Sequence, residues 1–180
     1  MIKRLCIFLA LLLASTCVQA SMIWVAVAID PAQFSEISKN EKLLTKVLLE
    51  ETGDQKLDLD KAWHGIHYLL NGTAWTINNI AGKAIIGGEE FGPDIGYGPP
   101  HIVSATQVRE IAAALEKITP EQLSARYNPE AMEKEEIYPT IIWKRDGAES
   151  LKFLLNYFQP LRTFYQRAAQ KGLAVIIAIT

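Results

Sequence analysis

The stretch Leu57-Asp58-Leu59-Asp60-Lys61-Ala62-Trp63-His64-Gly65-Ile66-His67-Tyr68-Leu69-Leu70-Asn71-Gly72 decides how the chain is read, and it holds two of the three histidines. Taken as one helix, it offers Asp58 or Asp60 as an N-cap oxygen and an acidic first turn. Gly72 follows the last apolar residue, where a left-handed residue closes a helix. At about 100° per residue, Ala62, Ile66, Leu69 and Leu70 share a core face with Trp63 on its flank. Asp60, His64 and His67 fall on a second stripe bordering that core.

Two chemistries fit the stripe. A histidine pair one helical turn apart can present two imidazoles to a metal, with Asp60 orienting His64. Zinc usually takes at least three protein ligands, so Glu89, Glu90 or His101 would have to arrive from a distant loop. The structural alternative has Asp60 capping the helix, His64 bonded to it and His67 packed at the core edge. The identity of any metal, cofactor or ligand stays open.

Outward from this stretch, punctuation marks the other elements. Toward the N-terminus, Ser21 to Ile29 is an apolar, β-prone run ended by Asp30-Pro31, a strand followed by a capped helical start. Glu41 to Glu51 carries Leu43, Leu44, Val47 and Leu48 at helical spacing, with Asn40 as cap. Toward the C-terminus, Ala84 to Ile86 reads as a short strand entering Gly87 to Pro100, a segment too rich in glycine and proline for a helix or a long strand. His101 to Val103 reads as a strand. Ser104 with Gln107, and Thr119 with Gln122, are capping boxes. Asn128-Pro129 opens another helix to about Glu136, and Ile137 to Trp143, with Pro139 inside, reads as extended or edge strand. The apolar residues from Leu151 to Tyr165 keep a helical phase across Pro160, as one kinked helix or two abutting ones. Gly172 ends that pattern, and Leu173 to Ile179 is a final strand.

These elements predict one α+β domain with a small mixed sheet that includes the first and last strands, packed by several helices. The polar stripe and the Gly-rich loop are expected to meet in one cleft. Its candidate ligand-binding residues are Asp60, Trp63, His64, His67, Glu89, Glu90, Tyr97 and His101. The acids of the loop argue against phosphate and favour a cation, a sugar or a polar peptide. Trp63, Trp75, Trp143 and Tyr97 either form a stacking surface or are core.

Several motifs taken together resemble the YfbM-like family, domain of unknown function 1877. They are the run from Leu57 to Leu70, Gly87-Gly88-Glu89-Glu90, Gly96-Tyr97-Gly98-Pro99, Ile111 to Leu115, Arg126 to Met132, Ile137-Tyr138-Pro139 and Leu161 to Tyr165. The resemblance spans about Met22 to Ile179 and implies a small α+β domain. It brings no activity and no catalytic residue.

The N-terminus sets this chain apart from that pattern. Met1 to Arg4 carries two positive charges, Leu5 to Leu13 is apolar, and Val18-Gln19-Ala20 places small residues before a cut, which reads as a signal peptide over residues 1–20. Residues 21–180 are then the mature domain, periplasmic or secreted. Cys6 and Cys17 both precede the cut, so the mature chain has no thiol; acylation at Cys17 would need a smaller residue than Thr16 before it. Losing Lys3 and Arg4 shifts the net charge from −2 to −4. The remaining cations form no stripe, so no nucleic-acid partner and no stable membrane insertion are expected. The function expected is a soluble ligand-binding or protein-interaction domain. The alternative is a hydrolase using histidine, carboxylate or metal chemistry.

Overall fold

The computed structural model describes residues 21–180; the expected signal peptide lies outside the described residues. Five strands form one sheet: β1 (Trp24–Ile29), β2 (Lys56–Asp60), β3 (Glu89–Glu90), β4 (His101–Val103) and β5 (Ala174–Ile179). Their spatial order is β2-β1-β5-β4-β3. The α+β class and the use of the first and last strands hold. The sheet is antiparallel at all four pairings, however, rather than mixed.

Both faces of the central strands are covered. Trp24, Ala26 and Ala28 of β1 enter the larger core with Val175 and Ile177, while Val25, Val27 and Ile29 enter a smaller core with Ala174, Ile176 and Ala178. Burial on both faces explains why β1 and β5 read as unbroken apolar runs rather than as alternation. The smaller core is closed by α1 (Phe34–Ile37) and α2 (Glu41–Glu50) through Ile37, Leu44 and Leu48. The larger core takes α3 (Trp63–Asn71), α5 (Ala105–Glu116) and the long α9 (Ala148–Gln170). Pro160 lies inside α9 on its exposed side, so the pattern across it is one helix.

Most expected caps are present. Asp30 accepts from Ala32 N–H, Asn40 from Leu43 N–H and Asn128 from Ala131 N–H. Both capping boxes close, opening α5 and α6 (Pro120–Ser124).

Three segments differ from expectation. Leu57 to Asp60 is not the first turn of a helix but part of β2, paired with β1 through Asp58↔Val25 and Asp60↔Trp24. Its alternation buries Leu59 and exposes Asp58, and an open edge of β1 was available to pair it. Neither aspartate caps α3, whose N-cap is Ala62 with no side-chain bond. Ala84 to Ile86 belongs to a short helix, α4 (Lys83–Ile86), whose carbonyls are taken by Tyr165 OH on Ala84 at 2.8 Å and Trp24 Nε1 on Ile85 at 2.7 Å. Ile137 to Trp143 is no strand. Turns lead from α7 (Pro129–Lys134) into α8 (Ile142–Asp146), with Trp143 Nε1 donating to Ile137 O. Among the described residues no helix is long and apolar enough to cross a membrane.

Candidate functional site

The histidines of α3 hold loops together. His64 is 1% exposed and His67 0%. Tyr138 N–H donates to His64 Nδ1 at 2.9 Å, and a backbone N–H can only donate, so Nδ1 carries no proton. His64 Nε2 therefore carries it and donates to Ala74 O at 2.9 Å. One neutral imidazole thus bridges two loops, 10 and 74 residues away in the chain. Its ring stacks on Trp63 at 4.7 Å and meets Trp75 at 4.5 Å.

His67 continues the same framework. Its Nδ1 lies 3.2 Å from Asn71 Nδ2, and the backbone of Thr76 faces its ring. Asn71 accepts from Asn78 N–H, Asn79 donates to Leu70 O, and Gly72, at φ 74°, ends α3 in the left-handed conformation expected. Glu135 accepts Ala74 N–H from outside. Burial lowers His64 to about 4 against the pull of the Ala74 carbonyl. Burial, and then the neighbouring His64, lower His67 to about 4 as well. Both are neutral near pH 7, and His64 has no free nitrogen lone pair.

The other candidates lie elsewhere. Asp60 is in β2 at one edge of the sheet and Glu89 and Glu90 are in β3 at the other, four strand spacings or about 19 Å across. Asp60 therefore shares no helical stripe with His64, and its backbone N–H is held by its neighbour Asp58. Glu90 pairs with His101 and Glu89 with Ile102 across the β3–β4 ladder. His101 Nδ1 lies 3.3 Å from Gly87 O, and His101 and Tyr97 line a crevice of about 70 Å³ beside Ile85. The hydrogen bonds and ring contacts of His64 and His67 go to residues 71–76, Trp63 and Tyr138, not to the Gly-rich loop. Among the described residues no group of three or more His, Cys, Asp or Glu side chains is placed to hold a metal.

A larger cleft, about 540 Å³, opens on the smaller-core face where β3 and β4 meet the start of α5. Phe34, Ile102 and Ala174 give it apolar walls; Glu89, Ser104 and Thr106 give it polar ones. Of the sequence candidates it contains Glu89. Phe34 and Thr106 were missed, because neither stands in a motif and only tertiary packing brings α1 to the start of α5.

The partners of the α3 histidines were missed too: Tyr138, Asn78 and Asn79 hold the histidine framework from outside the helix.

The family model for the domain of unknown function DUF1877 matches residues 21–178. A solved structure with the same fold is that of YfbM, a protein of unknown function from Escherichia coli, with a TM-score of 0.70 and 20% identity. The match covers 88% of this chain and 100% of that one, and at such identity it speaks to the fold. No curated protein matches the chain. The family match over nearly all the described residues, with the shared fold, makes the chain a member of the DUF1877 family.

Proposed function

We propose that this is an exported binding domain whose ligand or partner occupies the cleft between Glu89, Phe34 and the start of α5. The observation that carries the choice of binding over hydrolysis is the double backbone engagement of His64. A general base needs a lone pair within reach of substrate, and that of His64 Nδ1 is taken by Tyr138 N–H in a buried site. The cleft has the mixture of apolar wall and few polar groups that small ligands and peptide side chains use. Glu90, Tyr97 and His101 are not part of this cleft: Tyr97 and His101 line the crevice beside Ile85 on the larger-core face, and Glu90 pairs with His101.

The test is a chemical-shift titration with amino acids, short peptides and monosaccharides. Shifts at Glu89, Ile102 and Thr106, abolished by Thr106→Trp, are expected. Turnover of an ester or phosphoester substrate that disappears in His64→Gln, while that variant stays folded, would overturn the reading.

Export rests on the pattern over Met1 to Ala20, and the family match beginning at Ser21 is consistent with a cut there. Mass analysis of the protein from its native host is expected to give a chain starting at Ser21 in the exported fraction. A chain retaining residues 1–20 in the cytosol, or an acylated Cys17, would contradict it.

A further inference from the structure

At the far end of α5 from that cleft, about 18 Å along a 12-residue helix, two cations line one pocket and no carboxylate lines it. Lys117 and Arg126 line an open pocket of about 510 Å³ with Ile80, Ala81, Ala114 and Ile118. The ion pairs among the described residues are Arg145–Asp146, Lys152–Glu149 and Arg167–Asp54, all elsewhere. Arg126 donates one N–H to Leu69 O at 3.1 Å, which places it at the carbonyl end of α3 and accounts for its charge. Lys117, the C-cap of α5, is exposed, and its ammonium makes no hydrogen bond or ion pair among the described residues. Arg162 reaches the same corner from α9. Its Nη1 is 3.5 Å from Ile118 O, at the limit of a hydrogen bond, and its Nε is buried without an acceptor.

An anion in the pocket would give Lys117 and the outer guanidinium nitrogens of Arg126 a partner, with the charge of Arg162, at Ile118 O, close by. The carbonyl ends of α3 and α5 face the same corner and oppose a bare inorganic anion. The apolar walls must therefore contribute part of the affinity.

We propose that this pocket binds an organic anion, a carboxylate carried on an apolar chain, with the carboxylate between Lys117 and Arg126 and the chain against Ile80, Ala114 and Ile118. The experiment is calorimetric titration of the protein with decanoate, decanol and inorganic phosphate. Decanoate is expected to bind saturably below about 1 mM, decanol about tenfold more weakly, and phosphate not at all. Lys117→Glu, at an exposed side chain with no bonds to lose, is expected to weaken decanoate about tenfold while leaving thermal unfolding unchanged. Equal affinity for decanol and decanoate, decanoate affinity unaltered by Lys117→Glu, or no saturable binding would each overturn the proposal. None of these results bears on the cleft at the other end of α5, so the two readings fail separately.

Discussion

Lowering the pH from 7 to 4 is expected to remove about 3 kcal/mol of stability through either α3 histidine taken alone. His64 and His67 each sit at about 4 in the folded protein against an ordinary 6.5. A histidine with a depressed folded value binds fewer protons folded than unfolded between those two points. Its stabilising contribution is therefore complete above about 6.5 and drains away as the pH falls toward 4. The geometry gives the cause. A protonated His64 would turn Nδ1–H toward Tyr138 N–H, two donors face to face, inside a stack of Trp63 and Trp75. The charged group bonded to this framework is Glu135, which accepts Ala74 N–H, and the phenols beside it are Tyr68, next to Glu135, and Tyr138, stacked on Trp63. Surface carboxylates also titrate on this path, so the measurement is a difference. Urea unfolding at pH 7, 5.5 and 4.5 should show a steeper loss in the wild type than in His64→Phe. That variant is weaker at pH 7 because it orphans Ala74 O and Tyr138 N–H, but it lacks the proton. Parallel pH slopes in the two proteins would refute the assignment.

Much of the architecture was legible because it is written in local chemistry. Asp30-Pro31, Asn40, Ser104 with Gln107, Thr119 with Gln122 and Gly72 each mark an element end by a bond to a nearby backbone group, and the same bonds are present in the fold. Leu57 to Asp60 was misread because Leu-Asp-Leu-Asp fits a helix start and a strand equally well over four residues. Pairing with β1, a partner over 30 residues earlier, settled it as strand and removed Asp60 from the histidine stripe. Ala84 to Ile86 failed for a related reason: three apolar residues carry no period, and the hydroxyl of Tyr165, 81 residues on, holds the turn. The candidate site divided along the same line. His64 and His67 were found by residue type, but their partners come from residues 71–79 and 138, and only the folded chain shows that these use up the imidazoles. The cleft at the start of α5 joins residues from four separate segments, and no single segment of the sequence announces it.

Gly82→Ala is expected to be among the most damaging single-methyl additions available in this protein. A Cβ at position 82 would lie about 2 Å from the side-chain amide of Asn71, far inside any permitted contact. Many such clashes are relieved by a flexible neighbour swinging away, but Asn71 is 9% exposed and pinned. Its Oδ1 accepts Asn78 N–H at 2.9 Å, and its Nδ2 donates to His67 O at 3.2 Å and meets His67 Nδ1 at the same distance. Moving the amide breaks the link between the C-terminal turn of α3 and the loop that returns to α4. Each buried polar group left unmet costs about 1–3 kcal/mol, so two of them exceed the ordinary penalty for overpacking. The expected loss is about 3–5 kcal/mol, a fall in Tm of roughly 10 °C for a domain of this size. Gly53→Ala supplies the control, since its φ of 73° makes alanine strained there while no atom lies within 4 Å of the added Cβ. Its loss should be near the backbone term alone, about 1 kcal/mol. If thermal unfolding of the two variants shows equal losses, the damage at position 82 is a backbone effect and Asn71 is not the hub that holds residues 71–82 in place. If Gly82→Ala loses far more, and the double variant Gly82→Ala, Asn71→Ala loses little beyond Asn71→Ala alone, the penalty runs through Asn71 and the loop above the two histidines depends on that one amide.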